Sequence, residues 1–250
     1  MGSIKDAFHR MGSPRFFYLG SSLWVRGLYV GGIVGLVIGT FWGLVLAPPD
    51  KYQGDSFRIM YMHVPSAHLA EMVYFACAVA GFVYVVWRMK MADVFIAAAA
   101  PVGAILTSLS LVSGILWGMP TWGTGWVWDM RTTSVLVLLF LFFGLIALRQ
   151  AIPRLDRAAY SVAILALVGV VNIPIIKYSV VWFTTLHQPA SITFVNEPTI
   201  ATSMLWPLLV NTIGLYIFVA GVILAAMRVE VLKREQATEW VRTITRSMQR

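Results

Sequence analysis

Residues 202–227 read TSMLWPLLVNTIGLYIFVAGVILAAM, an apolar run that contains no charged side chain. A helix of about 20 apolar residues crosses the hydrocarbon core of a bilayer, so this run is long enough to span one. Each such run should be helical, because a strand surrounded by lipid would leave its backbone groups unpaired. We therefore predict an all-α, polytopic integral membrane protein with six transmembrane helices. The other five apolar runs cover residues 28–47, 62–87, 94–117, 134–148 and 158–181.

The composition of the chain also indicates a membrane protein. Hydrophobic residues make up 59% of the 250 residues and charged residues 12%, about half the charged share of a typical globular protein. Such a chain has too few polar groups to cover its apolar surface in water. Its single cysteine, Cys77, lies inside an apolar run, which excludes an internal disulfide and a Cys-x-x-Cys-His motif. The chain is therefore not itself a c-type cytochrome.

The basic residues are divided unequally between the two sides of the predicted membrane. The net charge is +8, and 15 of the 19 Lys and Arg residues fall in the N-terminal segment, the second and fourth loops and the C-terminal tail. This is the positive-inside pattern and not a nucleic-acid-binding patch. We therefore predict a bacterial inner (cytoplasmic) membrane protein with both termini in the cytoplasm. Its regions are a cytoplasmic or interfacial segment 1–24, a six-helix membrane domain 25–227 and a basic cytoplasmic tail 228–250.

Three loops face outward in this topology, at residues 48–61, 118–133 and 182–201. The stretch 117–133 begins WGMPTWGTGWVWDMR and holds Trp117, Trp122, Trp126 and Trp128, four of the ten tryptophans, interleaved with glycines. An aromatic belt is one interpretation, and a stacking platform for a planar apolar ligand is the other. We favour the platform, because a belt needs neither so many indoles nor the glycines. Trp126 and Trp128 would share a face in an extended chain, and Trp122 and Trp126 in a helix.

Two histidines flank this loop on the predicted outer side. His63 lies in YMHVP at the start of the second run, and His187 lies in LHQP of the third outward loop. Either alone would be interpreted as an ordinary interfacial histidine. Together, two neutral imidazoles beside a Trp-lined slot suit the axial positions of haem iron, so we predict a haem site. Zinc is the alternative, but it takes three or four ligands and would not explain the tryptophans. This face adds only the carboxylates of Asp50, Asp55, Asp129 and Glu197.

Haem carries two propionate groups, so cations should lie near the site. Arg58 and Arg131 are the candidate propionate contacts, and Lys177 is the other cation on or near the outer side. Solvated loop charge is the alternative for each of them. We predict that Asp129 either orients a ligating imidazole or caps the fourth span.

His68 and Glu71 lie deeper in the second run and three residues apart, so they are neighbours on a helix. At 100° per residue His68 points about 140° away from His63, which makes it a poor ligand for the same iron. Ionisable groups inside a span are often functional. A mutually satisfied pair and a contact with a partner subunit both stay open. Packing roles are predicted for Asn172, Pro174, Pro207 and Asn211.

The segment Trp122-Gly-Thr-Gly-Trp126-Val-Trp128-Asp129, with His63-Val-Pro before it and His187-Gln after it, resembles the tryptophan-rich "WWD" haem-handling proteins. Within that group the chain is most similar to the cytochrome c maturation protein C family, also called haem exporter protein C (CcmC). The resemblance covers residues 25–225 and includes Ala100-Pro101-Val-Gly and Val171-Asn172-Ile173-Pro174-Ile175. One position departs from the pattern, because Gly125 stands where many relatives are expected to carry an aromatic residue.

The resemblance implies a protein that binds b-type haem non-covalently on the periplasmic side and delivers it to a periplasmic haem chaperone. The implied axial ligands are His63 and His187, and the implied platform is Trp122, Trp126, Trp128 and Asp129. The implied partners are an ABC ATPase subunit, a second membrane subunit and a small single-helix membrane subunit. The chain has no Walker A sequence, so ATP binding is assigned to a separate chain and this one is predicted not to be an enzyme.

Two other functions stay open at this level. A haem lyase or cytochrome c synthase of the same Trp-rich superfamily would have a second, membrane-buried His pair, and here only His68 is buried without a His partner. An electron carrier with two haems or a quinol site would also need paired ligands inside the helices, and is disfavoured for the same reason.

Overall fold

The computed structural model describes residues 12–189, 191–192 and 197–248, most of them helical. Six helical segments are long and apolar enough to cross a membrane, which confirms the predicted all-α fold with six spans. Residues 1–11, with His9 and nearly half of the predicted interfacial segment 1–24, lie outside the described residues. In chain order the helices are α1 Pro14–Gly20, α2 Ser22–Phe41, α3 Met60–Trp87, α4 Lys90–Trp122, α5 Met130–Ala151, α6 Leu155–Gly169, α7 Asn172–Trp182, α8 Thr202–Arg234 and α9 Glu239–Met248.

Two spans continue well past the C-terminal ends of the apolar runs that predict them. Helix α4 ends at Trp122 and not at residue 117, because the first left-handed residue after it is Gly123, with φ of 75°. Glycine adopts this conformation without steric cost and commonly ends a helix. The first part of the predicted loop 118–133 is therefore helical. Helix α8 likewise continues to Arg234 instead of residue 227, and the predicted tail contains α9.

The fifth span is broken into α6 and α7 at Val170 and Val171. Pro174 explains the break, because a proline has no amide hydrogen and its ring clashes with the carbonyl four residues earlier, here that of Val170. Past the break, the side-chain amide of Asn172 donates to the carbonyl of Ser134 on α5 at 2.9 Å. The break gives the two halves of this span different neighbours: α6 packs against both α3 and α5, whereas α7 packs mainly against α5.

The core of the bundle lies among α3, α4, α5 and α6. Tyr74, Cys77 and Phe142 are fully buried in it, and the remaining positions are largely alanine and valine. Helix α2 lies outside this core and packs along α8. Small residues allow the two backbones to approach closely: a Cβ atom at Gly39 would lie 2.7 Å from the Cα atom of Asn211.

The two ends of the bundle are held by different polar contacts. At the end opposite the histidines, the buried Asp93 of α4 accepts hydrogen bonds from Arg149 of α5 and, at 2.6 Å, from Arg234 of α8. At the other end, Asn211 of α8 donates to the carbonyl of Tyr61 and accepts from Thr40 of α2 at 3.2 Å. These contacts fix the first turn of α3, which carries His63.

Candidate functional site

His63 lies in the first turn of α3 and turns its ring toward α4. Its Nδ1 atom is 3.0 Å from the carbonyl of Ser110 and 3.1 Å from the hydroxyl of Ser113. The Ser113 hydroxyl donates its own hydrogen to the Leu109 carbonyl at 2.6 Å. Both neighbours of Nδ1 are therefore acceptors, which assigns the ring proton to Nδ1. The lone pair of Nε2 is then available to a metal ion.

His187 lies in the loop after α7, and its ring has the same arrangement. Its Nδ1 atom is 2.9 Å from the carbonyl of Gln188, so the proton is again on Nδ1 and Nε2 is an acceptor. Burial, and next the positive charge of Arg131, lower the pKa of His187 below its ordinary value. The ring is therefore neutral at pH 7, which is the form that binds a metal ion.

The structure brings the two imidazoles together. Their ring centres are 6.3 Å apart and their planes are inclined by 34°. A metal–imidazole bond is about 2.0 Å long and the ring centre lies about 1.1 Å beyond the nitrogen, so two axial imidazoles on one metal ion have centres about 6.2 Å apart. Within the described residues no group of three His, Cys, Asp or Glu side chains could hold a metal ion. Iron in a porphyrin needs only two protein ligands, and the pair therefore fits haem better than zinc.

Two tryptophans of α4 lie beside the imidazoles. The ring centre of Trp117 is 5.7 Å from that of His63, edge to face, and the ring centre of Trp122 is 6.0 Å from that of His187. The indole nitrogen of Trp117 donates to the side chain of Gln53 at 2.8 Å, which fixes this ring against the loop that precedes α3. Trp122 keeps 40% of its surface exposed. Each imidazole therefore has one indole neighbour, and both of these indoles belong to α4.

Trp126 and Trp128 follow in an extended segment and contact each other, with ring centres 5.2 Å apart in an edge-to-face arrangement. This is the extended alternative of the sequence analysis, because α4 ends at Trp122. Neither ring is in ring contact with His63 or His187 in the part of the chain that the structure describes. Trp128 is 74% exposed, and the buried indole nitrogen of Trp126 has no partner among the described residues.

Two glycines let this segment fold back on the end of α4. A Cβ atom at Gly118 would lie 2.9 Å from the carbonyl oxygen of Thr124. A Cβ atom at Gly125 would lie 2.9 Å from the side chain of Ile115 and 3.0 Å from that of Met119. An aromatic residue at position 125 would therefore have to displace these side chains. Glycine at this position lets the segment with Trp126 and Trp128 lie closer to α4.

Asp129 joins the Trp segment to the loop of His187. One carboxylate oxygen accepts from the amide of Thr132 at 2.8 Å and so caps α5, as the capping alternative predicts. The other oxygen accepts from the amide of Leu186 at 3.3 Å. Asp129 therefore orients the residue next to His187 through the backbone.

The two candidate propionate contacts differ in what they already bind. The guanidinium of Arg58 bonds Asp55 and the carbonyls of Gly43 and Ala47, at 2.9, 2.8 and 3.0 Å. It thereby ties the helical turn before α3 to the helical turn after α2. Arg131 bonds only the carbonyl of Ile176, at 2.6 Å, in the described structure, and its charge acts on both imidazoles.

The sequence reasoning missed the groups on α4 that hold His63. They are Ser110 and Ser113, with Gly114 next to them: a Cβ atom at Gly114 would lie 3.0 Å from the His63 ring. Positions 110, 113 and 114 share one helix face, and a small, polar face inside an apolar span is the signal that could have found them.

The comparisons with known proteins give one family. The family described as Heme exporter protein C matches residues 7–242. The Heme exporter protein C of Haemophilus influenzae is 44% identical over 216 residues, which is 86% of this chain and 88% of that protein. That of Escherichia coli K12 is 42% identical over 93% of this chain and 94% of its own length. That of Bradyrhizobium diazoefficiens is 46% identical over 81% and 76%. With matches of this length and identity, the chain belongs to the haem exporter protein C (CcmC) family.

Proposed function

We propose that this protein binds haem at the periplasmic face of the bacterial inner membrane through His63 and His187, and presents it to a periplasmic haem chaperone for cytochrome c biogenesis. The observation that carries the proposal is the imidazole pair, with ring centres 6.3 Å apart and both Nδ1 atoms engaged by acceptors. The printed name of the relatives, Heme exporter protein C, supports haem as the cargo.

The surrounding side chains suit a bound but removable haem. Trp117 and Trp122 offer aromatic surface next to the ligands, and Arg131 offers a cation for a propionate. The chain has no Cys-x-x-Cys-His motif, so the haem is held by coordination and packing, as b-type haem. Trp122 and Trp128 are exposed, and we assign the transfer of the porphyrin to the chaperone to their side of the site.

We assign the protein a non-enzymatic role in an ABC-type export complex. The name of the relatives contains the word exporter, and the sequence lacks a Walker A motif, so the ATPase is a separate subunit. A second membrane subunit and a small single-helix subunit complete the proposed complex. The synthase alternative needs a second His pair inside the membrane. The structure instead gives His68 a tyrosine partner, because the hydroxyl of Tyr216 lies 2.6 Å from its Nδ1 atom.

The test is a haem titration of the purified chain in lipid nanodiscs. We expect the low-spin spectrum of iron with two histidine ligands. His63→Gly and His187→Gly should each abolish that spectrum, and added imidazole should restore it. His9→Ala is the matched control, because it removes a histidine predicted to be on the other side of the membrane. An unchanged spectrum in both glycine variants would refute the proposal.

A further inference from the structure

The outer half of the membrane region has a groove between α3 and α7 that the proposed haem site does not explain. Helix α6 packs against both α3 and α5, but after the break at Val170 and Val171 the helix α7 packs mainly against α5. In its outer half, the fifth span therefore no longer packs against α3. We call this space the lateral groove, and its polar side chains are His68 and Glu71 of α3, Arg131 of α5, Lys177 of α7 and Tyr216 of α8.

The polar residues of the lateral groove lie at membrane depth. At 1.5 Å per residue, His68 is about 7.5 Å and Glu71 about 12 Å further along α3 than His63. His68 and Lys177 are exposed on the surface of the chain, where lipid would surround them. Charged and polar groups in this position are costly and are seldom present without a function.

These residues lie in order from the lipid-facing surface to the imidazole pair. On the outside, Lys177 lies close enough to His68 and Glu71 for its charge to act on both. On the inside, the charge of Arg131 acts on Glu71 and on both ligand histidines. Arg131 is fixed in this place by its bond to the carbonyl of Ile176, the residue before Lys177.

We propose that the lateral groove is an entrance by which haem dissolved in the outer leaflet reaches His63 and His187. This inference rests on the proposed function and adds the route and its recognition chemistry. Haem is apolar except for its two carboxylates, so it partitions into lipid. A carboxylate moving through lipid is attracted by a cation that stands at the lipid boundary. Lys177, beside the His68–Tyr216 pair, makes the first contact, and Arg131 makes the second beside the imidazoles.

The test follows the rate of haem loading in phosphatidylcholine vesicles that contain the purified chain. Haem is added by rapid mixing, and loading is followed by tryptophan fluorescence and by the spectrum of two-histidine ligation. We expect Lys177→Glu to slow loading about tenfold and to leave the final amplitude unchanged. Lys177→Arg keeps the charge and should load at the wild-type rate. His68→Phe should slow loading in the same direction.

Two controls separate this route from haem arriving through water. Lys51→Glu makes the same charge change at an exposed position of the first outer loop and should leave the rate unchanged. The iron porphyrin dimethyl ester lacks free carboxylates, so its loading rate should be the same in wild type and Lys177→Glu.

Four results would overturn the inference. Equal loading rates in wild type and Lys177→Glu would do so, as would equal slowing by Lys51→Glu. A lower final amplitude would make Lys177 part of the bound state and not of the entrance. If Lys177→Glu lost the membrane subunits that co-purify with the wild-type chain but loaded haem at the wild-type rate, the groove would be a subunit interface and not an entrance. A wild-type chain without the two-histidine spectrum would refute the proposed function itself, whereas the other results leave that function intact.

Discussion

At the scale of single residues, Gly114 determines how the His63 ring sits. A Cβ atom there would lie 3.0 Å from Cε1 and 3.5 Å from Nδ1 of the ring, so Gly114→Ala must push the imidazole away from Ser110. We expect the dissociation constant for haem to rise about tenfold, or about 1.4 kcal/mol. Thermal stability should not fall, because alanine favours a helix over glycine by up to about 1 kcal/mol. A haem titration and a melting curve measure the two effects separately.

Gly27→Ala is the matched control, because a Cβ atom at Gly27 in α2 meets nothing within 4 Å. It should give the same gain in helix propensity and leave haem affinity unchanged. If Gly114→Ala also left haem affinity unchanged, the tight approach of α4 to His63 would have no role in binding.

The residues that carry unusual chemistry could be selected from the sequence, and those that support them could not. His63 and His187 stand out because ionisable residues are rare in membrane-spanning chains, and the tryptophans stand out because four of the ten fall within residues 117–128. Ser110, Gln53 and the carbonyl groups around Arg58 are ordinary residues and backbone atoms. Their roles depend on which helices become neighbours, and that information is not local in the sequence.

At the scale of helices and loops, Asp129 links the start of α5 to the loop of His187. Asp129→Ala removes both hydrogen bonds, so we expect a loss of about 1 kcal/mol of stability, as for other N-caps, and weaker haem binding. Asp129→Asn should keep the cap through its oxygen while its amide nitrogen cannot accept from Leu186. Haem affinity should therefore fall in both variants and stability mainly in the alanine variant. Equal haem affinity in wild type and Asp129→Asn would show that the bond to Leu186 is dispensable.

The six spans could be predicted from hydropathy alone, because each is a long apolar run bounded by polar residues. The ends of α4 and the break before α7 could not be located in the same way. The segment Gly118-Met119-Pro120 has a composition typical of a loop, yet the helix continues to Trp122, where packing of the folded-back Trp segment supports it. Pro174 indicates a break, but which helix α7 then packs against is a property of the tertiary structure.

At the scale of the whole molecule, an ionic cluster joins three spans at the end opposite His63 and His187. Asp93 is only 2% exposed and is bound by Arg149 of α5 and Arg234 of α8. Removing one partner from a buried ion pair leaves an uncompensated charge and costs about 3–5 kcal/mol. We therefore expect Asp93→Asn to lower the melting temperature of the purified chain markedly, measured by tryptophan fluorescence in nanodiscs.

The same variant tests whether the two ends of the bundle are independent. His63 is positioned by Ser110, Ser113 and the turn at Tyr61, and none of these residues contacts the cluster. Folded Asp93→Asn protein should therefore show the two-histidine haem spectrum with wild-type affinity. Asp156→Asn, which removes an exposed pair with Arg154 at that same end, should leave the melting temperature almost unchanged, because exposed ion pairs contribute little to stability. A weakened haem spectrum in Asp93→Asn at temperatures well below its melting transition would mean that the cluster and the proposed haem site are coupled through α4 or α5, which each carry parts of both.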